Sequence, residues 1–240
     1  MDRHTIARLN AINRRFYAIT AQDFDASRGG AWAGWEQLLP HIRDTRGALP
    51  RRVLDVGCGN GRFGRFLAEH AEAPLVYHGI DSNSTLLQHA EDALATRADI
   101  KATFDEGDVV TEPPDAGTYD LVALFGVIHH IPGTIQRETF MRTLAQRVAP
   151  GGFLVFTAWR FYEYERFRAR LIPWPEDITV ERHDYLLDWQ RGETALRYCH
   201  YVDDTEHARL IEATGLESMV DYRADGRTGD MNRYSALKRV

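Results

Sequence analysis

The residues with the most chemical potential lie in the run Val53-Leu54-Asp55-Val56-Gly57-Cys58-Gly59-Asn60-Gly61. A short apolar strand pattern leads into it and a helical pattern, Phe63–His70, leads out. In that context a glycine-rich turn becomes a ligand cradle. Gly57 suits a tight turn, and Gly59 lets a ligand approach the backbone. Two carboxylates follow in register. Asp81 ends the next apolar run, where it can accept both hydroxyls of a ribose. Asp108 ends the run after that and can accept from an exocyclic adenine amine. The next strand pattern, Asp120–Phe125, leads into Gly126-Val127-Ile128-His129-His130, at the carboxyl edge where parallel sheets bind ligands. A lone G-x-G is also an ordinary strand-to-helix turn, and a lone carboxylate is more often a solvated loop residue. The ordered combination predicts a nucleoside cofactor.

A second group of side chains suits an acceptor. An arginine fork binds a carboxylate bidentately, and Arg197 is the first candidate, with Arg28 the second. Arg197 also stands four residues after Glu193, the spacing of a surface ion pair on a helix. Tyr198 and His200 can hydrogen-bond an acceptor or stack on it. Adjacent histidines do not share a face of a strand, so only one of His129 and His130 is expected to point inward, and His130 is the choice. No third ligand has recognisable spacing, so no metal is expected. The segment 159–170 mixes arginines with Trp159, Phe161, Tyr162, Tyr164 and Phe167. It reads either as an amphipathic cap with its rings inward or as a face that stacks nucleic-acid bases.

The elements that must position these groups alternate strand and helix. Strands are predicted at 53–56, 75–80, 103–104, 120–125 and 153–158, with helices at 63–70, 84–94 and 139–148. This is the pattern of an α/β, Rossmann-like, mostly parallel sheet with helices on both faces. Asp203 and Glu206 form a capping box for a helix ending at Gly215. Then 216–222 and 232–237 read as antiparallel strands closing the sheet. The organisation expected is an N-terminal helical segment (1–50, with a helix at 5–19), a cofactor-binding core (51–158), an inserted cap (159–200) and a C-terminal completion (201–240).

Composition narrows the partners. The formal net charge of −6 over 240 residues speaks against a uniformly basic nucleic-acid binder. Two cysteines, Cys58 and Cys199, make neither a disulfide scaffold nor a zinc site. The N-terminus lacks the apolar core of a signal peptide, and no run approaches a membrane span. A cytoplasmic location without membrane partners is the expectation.

The dinucleotide fingerprint would place a third glycine where Arg62 stands, whereas here it falls at Gly61. The run D-V-G-C-G-N-G instead resembles motif I of class I S-adenosylmethionine-dependent methyltransferases, and the resemblance covers about residues 50–158. It implies S-adenosyl-L-methionine as cofactor. The glycine loop would cradle its methionine part, Asp55 would help position the ammonium, Asp81 would hold the ribose, and Asp108 with Val109 would frame the adenine. The cofactor-binding set is completed by Arg28, Gly57, Cys58, Gly59, Asn60, Gly61, Ser82 and Phe125.

A narrower resemblance covers nearly the whole chain. Arg15-Phe16-Tyr17, Phe24–Arg28 with Trp32, Val127–His130 with Arg137, Asp188-Trp189, Arg191-Gly192-Glu193 and Arg197-Tyr198-Cys199-His200 resemble the methyltransferases that esterify carboxymethyl-uridine at the wobble position of tRNA. The chain departs from that family at Cys199, where a second aromatic is usual, and in a shortened loop, Arg28-Gly29-Gly30-Ala31-Trp32. A carboxylate acceptor is already ionised near neutral pH, so positioning would suffice. His130, Arg197 and Tyr198 are then the catalytic candidates. The competing expectations are a small-molecule O-methyltransferase acting on a carboxylate or hydroxyl, and a non-catalytic partner protein of the same fold. The intact glycine loop speaks against the last. The acceptor is thus tRNA or a small molecule, and the sequence identifies no helper subunit.

Overall fold

The computed structural model describes every residue except 27–29, 44–46 and 190–194, and only the backbone of 22–26. The elements, in chain order, are α1 (Arg3–Ala26), α2 (Ala33–Leu38), β1 (Arg52–Val56), α3 (Arg62–His70), β2 (Leu75–Asp81), α4 (Ser84–Leu94), β3 (Ile100–Glu106), β4 (Tyr119–Leu124) and α5 (Thr134–Arg147). They continue with β5 (Val148–Trp159), α6 (Glu165–Arg168), β6 (Leu171–Ile172), β7 (Asp184–Trp189), β8 (Ala195–His200), α7 (Asp204–Thr214), β9 (Glu217–Ala224) and β10 (Asn232–Lys238). No helix among the described residues is long and apolar enough to cross a membrane.

Seven strands form one sheet in the order β3-β2-β1-β4-β5-β10-β9. The first five run parallel, and β10 runs antiparallel to both β5 and β9. From β1 the chain moves outward to β2 and β3, then returns to β4 on the other side. That reversal opens a crevice at the carboxyl ends of β1 and β4. Central strands are buried on both faces, which explains why Val53, Leu54 and Val56 are all apolar and buried, with only Asp55, itself buried, among them. One core layer gathers Trp35, Phe63, Phe66, Tyr77 and Phe125; the other gathers Leu54, Val122, Phe140, Met141 and Phe156. The 159–200 segment contributes a separate antiparallel sheet, β6-β7-β8.

Several boundaries differ from expectation. The first helix runs from Arg3 to Ala26 rather than 5–19, and the third strand spans seven residues. The expected capping box is one-sided. Asp203 accepts from the Glu206 amide at 2.8 Å, but the Glu206 side chain does not reach back. It turns inward to Arg137 Nε (2.7 Å) and His200 Nε2 (2.6 Å). His200 Nδ1 lies 2.7 Å from Asp184 Oδ1, which also accepts from the Tyr198 hydroxyl at 2.8 Å. Arg137, fully buried, donates a further bond to the Ile131 carbonyl at 3.0 Å. This network fastens the small sheet (β7, β8) to α5 and α7. Burial opposes charge on both Glu206 and His200, but their mutual bonding wins. Glu206 is held down at about 2, and the bonds to Asp184 and Glu206 raise His200 above its ordinary value.

Candidate active site

The turn after β1 is tied to the tip of β2. The amides of Gly57 and Cys58 both donate to the Ile80 carbonyl, at 2.7 and 3.1 Å. At Gly57 (φ +74°) a Cβ would come within 2.3 Å of Val127 Cγ2, so the loops after β1 and β4 can meet only over a glycine. Gly59 (φ +54°) has open space where a Cβ would stand, on the crevice side, and its amide donates to Asp81 Oδ2 at 2.9 Å. Gly61, expected among the cofactor contacts, is the left-handed residue that opens α3, where a Cβ would come within 3.0 Å of Ala90 on α4.

Three carboxylates face this one crevice. Asp55 is buried and accepts from the Tyr77 hydroxyl at 2.6 Å. Burial pushes its pKa up to about 7, the Tyr77 bond opposes, and neighbouring Asp81 adds to the rise. A ligand ammonium would favour its ionised form. Asp81 accepts from the amides of Gly59 and Asn83, both at 2.9 Å, and burial raises its pKa. Its remaining lone pairs suit a diol. Asp108 accepts from the Val110 amide at 3.1 Å and from Asn10 on α1 at 2.6 Å. Cys58, Asn60, Ser82, Val109 and Phe125, all expected from the sequence, also line it. Carboxylates that could take an ammonium, a diol and an amine, set along one open glycine turn, fit S-adenosylmethionine. Arg28 lies outside the described residues.

Tyr17, Trp32 and Gly126 border both this crevice and a second cleft of about 510 Å³, within the range of small-ligand pockets. That cleft is aromatic and cationic: Trp159, Phe167 and Trp189 stand with Arg166, Arg170 and Arg197. Arg197 is 8% exposed, with its guanidinium 5.1 Å from the Phe16 ring and 4.7 Å from the Trp159 ring. Among the described residues no carboxylate pairs with it; Glu193, its expected helical partner, lies outside them. Arg197 in any case stands on strand β8, so the helix-surface pairing does not apply.

The remaining expectations need correction. Tyr198 is fully buried, bonded to Asp184 and packed with Leu9 and Ile178, so it meets neither the crevice nor the cleft. His200 is locked between Asp184 and Glu206. Both histidines of the pair are inward. They sit on a 3-10 turn, Ile128–His130, not on a strand, so His129 enters the cleft and His130 the crevice, with ring centroids 4.1 Å apart. His129, His130 and Cys199 do converge, with ligand atoms within 4.8 Å of one another, a grouping the sequence spacing hid. Burial pushes the Cys199 thiol up to about 11 against the pull of Arg197, and that adjacent guanidinium disfavours a second cation there.

The residues that sequence reasoning missed lie on α1. Asn10, Asn13 and Tyr17 recur at three and four positions, one helical stripe. Asn13 accepts from the Tyr198 amide at 2.9 Å and reaches His130 Nδ1 at 3.2 Å, and the Tyr17 hydroxyl lies 2.9 Å from His130 Nε2. Two asparagines on the inner face of an amphipathic helix were the available signal.

The methyltransferase-domain family profile matches residues 28–220. Tocopherol O-methyltransferase of Arabidopsis thaliana is 30% identical over 129 residues, 53% of this chain and 36% of that protein. Ubiquinone biosynthesis O-methyltransferase of Coxiella burnetii is 26% identical over 166 residues, 69% of this chain and 63% of the relative. The chain thus spans less than two thirds of either relative's length. The structure of the N-methyltransferase NodS from Bradyrhizobium japonicum, solved with S-adenosylhomocysteine, aligns with a TM-score of 0.57 at 19% identity, covering 86% of this chain and 84% of that one. With the topology and the crevice, the match places this chain in the methyltransferase-domain family, as a class I, S-adenosylmethionine-dependent methyltransferase.

Proposed function

We propose that this enzyme methylates an oxygen of a small, planar acceptor that carries a negative charge. The observation that carries the reading is Arg197. It is a buried guanidinium, sandwiched between two rings, at a cleft that joins the cofactor crevice at Tyr17, Trp32 and Gly126. Such a group recognises an anion beside an aromatic plane. The cofactor supplies an electrophilic methyl group at the junction. The O-methyltransferase names of two relatives support an oxygen acceptor, and the net charge of −6 supports a small molecule over tRNA. Carboxymethyl-uridine would present the same carboxylate chemistry, so the narrower resemblance remains the competing reading. Arg166 and Arg170 would then meet phosphates.

Incubation with methyl-labelled S-adenosylmethionine separates the two. Label in the small-molecule fraction of an extract supports the proposal, and label in base-labile esters on tRNA overturns it. Arg197→Met is expected to raise KM for the acceptor by about 10–100-fold, the loss of a charge-assisted bond, with cofactor affinity unchanged by calorimetry. An unaltered KM would remove Arg197 from recognition.

A further inference from the structure

A carboxylate acceptor needs no base, yet the junction of the two chambers holds a buried histidine bonded to a phenol. We infer that Tyr17 and His130 form a proton relay, and that the acceptor oxygen is therefore a hydroxyl, distinct from the anionic group held by Arg197. This rests on the acceptor reading above and sharpens it to a hydroxylated aromatic or enolic acid.

The geometry of His130 carries the argument. Its Nδ1 faces two groups of opposite character, the Asn13 amide at 3.2 Å and the Tyr198 carbonyl at 3.1 Å. Asn13 is oriented by the Tyr198 amide, which donates to its Oδ1 at 2.9 Å and turns Nδ2 toward the ring. Nδ1 is therefore satisfied with its proton, which the carbonyl accepts, and without it, when the amide donates. A ring that tolerates both tautomers can take up and release a proton without moving. With Nδ1 protonated, the Nε2 lone pair accepts from the Tyr17 hydroxyl at 2.9 Å. Tyr17 borders both crevice and cleft, so its oxygen can meet the acceptor oxygen where His130 does not. Among the described residues, groups facing His130 include Tyr17 and Asn13 from α1, the Tyr198 carbonyl and Cys199 thiol from β8, and His129 on its own turn.

The step balances as follows. The acceptor hydroxyl gives its proton to the Tyr17 oxygen as the Tyr17 proton passes to Nε2, leaving His130 as imidazolium. The acceptor oxygen's electron pair forms the new O–C bond. The S–C bond pair returns to sulfur, and the sulfonium becomes a neutral thioether. His130 later gives one proton to solvent.

The test uses 4-hydroxy-3-nitrobenzoate, whose phenol ionisation is visible by absorbance and whose carboxylate suits Arg197. It is bound to the full chain with S-adenosylhomocysteine, so no turnover intervenes. In the unmodified protein the bound probe is expected to ionise at least one pH unit below the free probe. Tyr17→Phe and His130→Gln, each read at saturating S-adenosylhomocysteine and with the fold checked by melting temperature, are expected to abolish most of that shift. For a hydroxyl acceptor, kcat should fall about 10²-fold, the usual contribution of a positioned base, with KM little altered. If His130→Gln fails to fold, Tyr17→Phe alone decides, because that side chain is only half-buried. A shift equal in all three proteins, or none in the unmodified one with probe bound, overturns the relay and leaves the anionic-acceptor reading standing. A probe that does not bind at all overturns both.

Discussion

Calorimetric titration of Asp81→Ala with S-adenosylmethionine is expected to show affinity weakened by about 10²-fold or more. Two charge-assisted bonds to a ribose diol account for that size, at about 1.5–3 kcal/mol each. The structure adds a second cost. Asp81 holds the amides of Gly59 and Asn83, so its loss also frees the glycine turn. Asp81→Asn should be nearly as poor. Its one oxygen can satisfy only one of those amides, and its own NH2 would confront the other. Unchanged affinity in both variants would show that Asp81 does not hold the ribose.

The largest stability effect belongs to Arg137→Met. Removing one member of a buried ion pair costs about 3–5 kcal/mol, because the partner's charge is stranded. Here the stranded group is Glu206, which also contacts His200. Urea denaturation should show a loss of that size, and Glu206→Gln on the same background should restore part of it. A loss below about 1 kcal/mol would mean the network does not fasten the cap.

The same network sets a pH window. Glu206 is lowered from 4.5 to about 2 in the fold, so its contribution is present above pH 4.5 and lost as pH falls toward 2. His200 is raised above 6.5, so its contribution is full below 6.5 and lost as pH climbs through the folded value. Denaturation midpoints should therefore be highest between these limits and decline on both sides. Arg137→Met and His200→Gln should flatten the curve.

The sheet and the cofactor crevice were legible because they are local. Val53–Gly61 carries its own strand, turn and helix start, and Asp81 and Asp108 are marked as strand-end acids by the runs before them. The acceptor side is assembled by long-range contacts and was read poorly. Arg197, Tyr198 and His200 read as one acceptor-facing group, yet with Cys199 they lie on a strand and alternate faces. Arg197 and Cys199 meet near the cleft, while Tyr198 and His200 turn to Asp184. Strand periodicity applied to those four residues would have separated them. Assigning His129 and His130 to a strand end failed for a related reason. A 3-10 turn spaces successive side chains about 120° apart, so neighbours can look into different chambers.

Helix α1 reaches Asp108 through Asn10 and His130 through Asn13 and Tyr17, about one and two turns further on. A rod gripped at both places cannot shift at one without disturbing the other. Donor and acceptor affinities should therefore be coupled, and by thermodynamic reciprocity each ligand must strengthen or weaken the other by the same factor. The spent by-product and the methylated acceptor would then alter each other's release through a single piece of secondary structure that lines the crevice and, at Tyr17, the cleft as well.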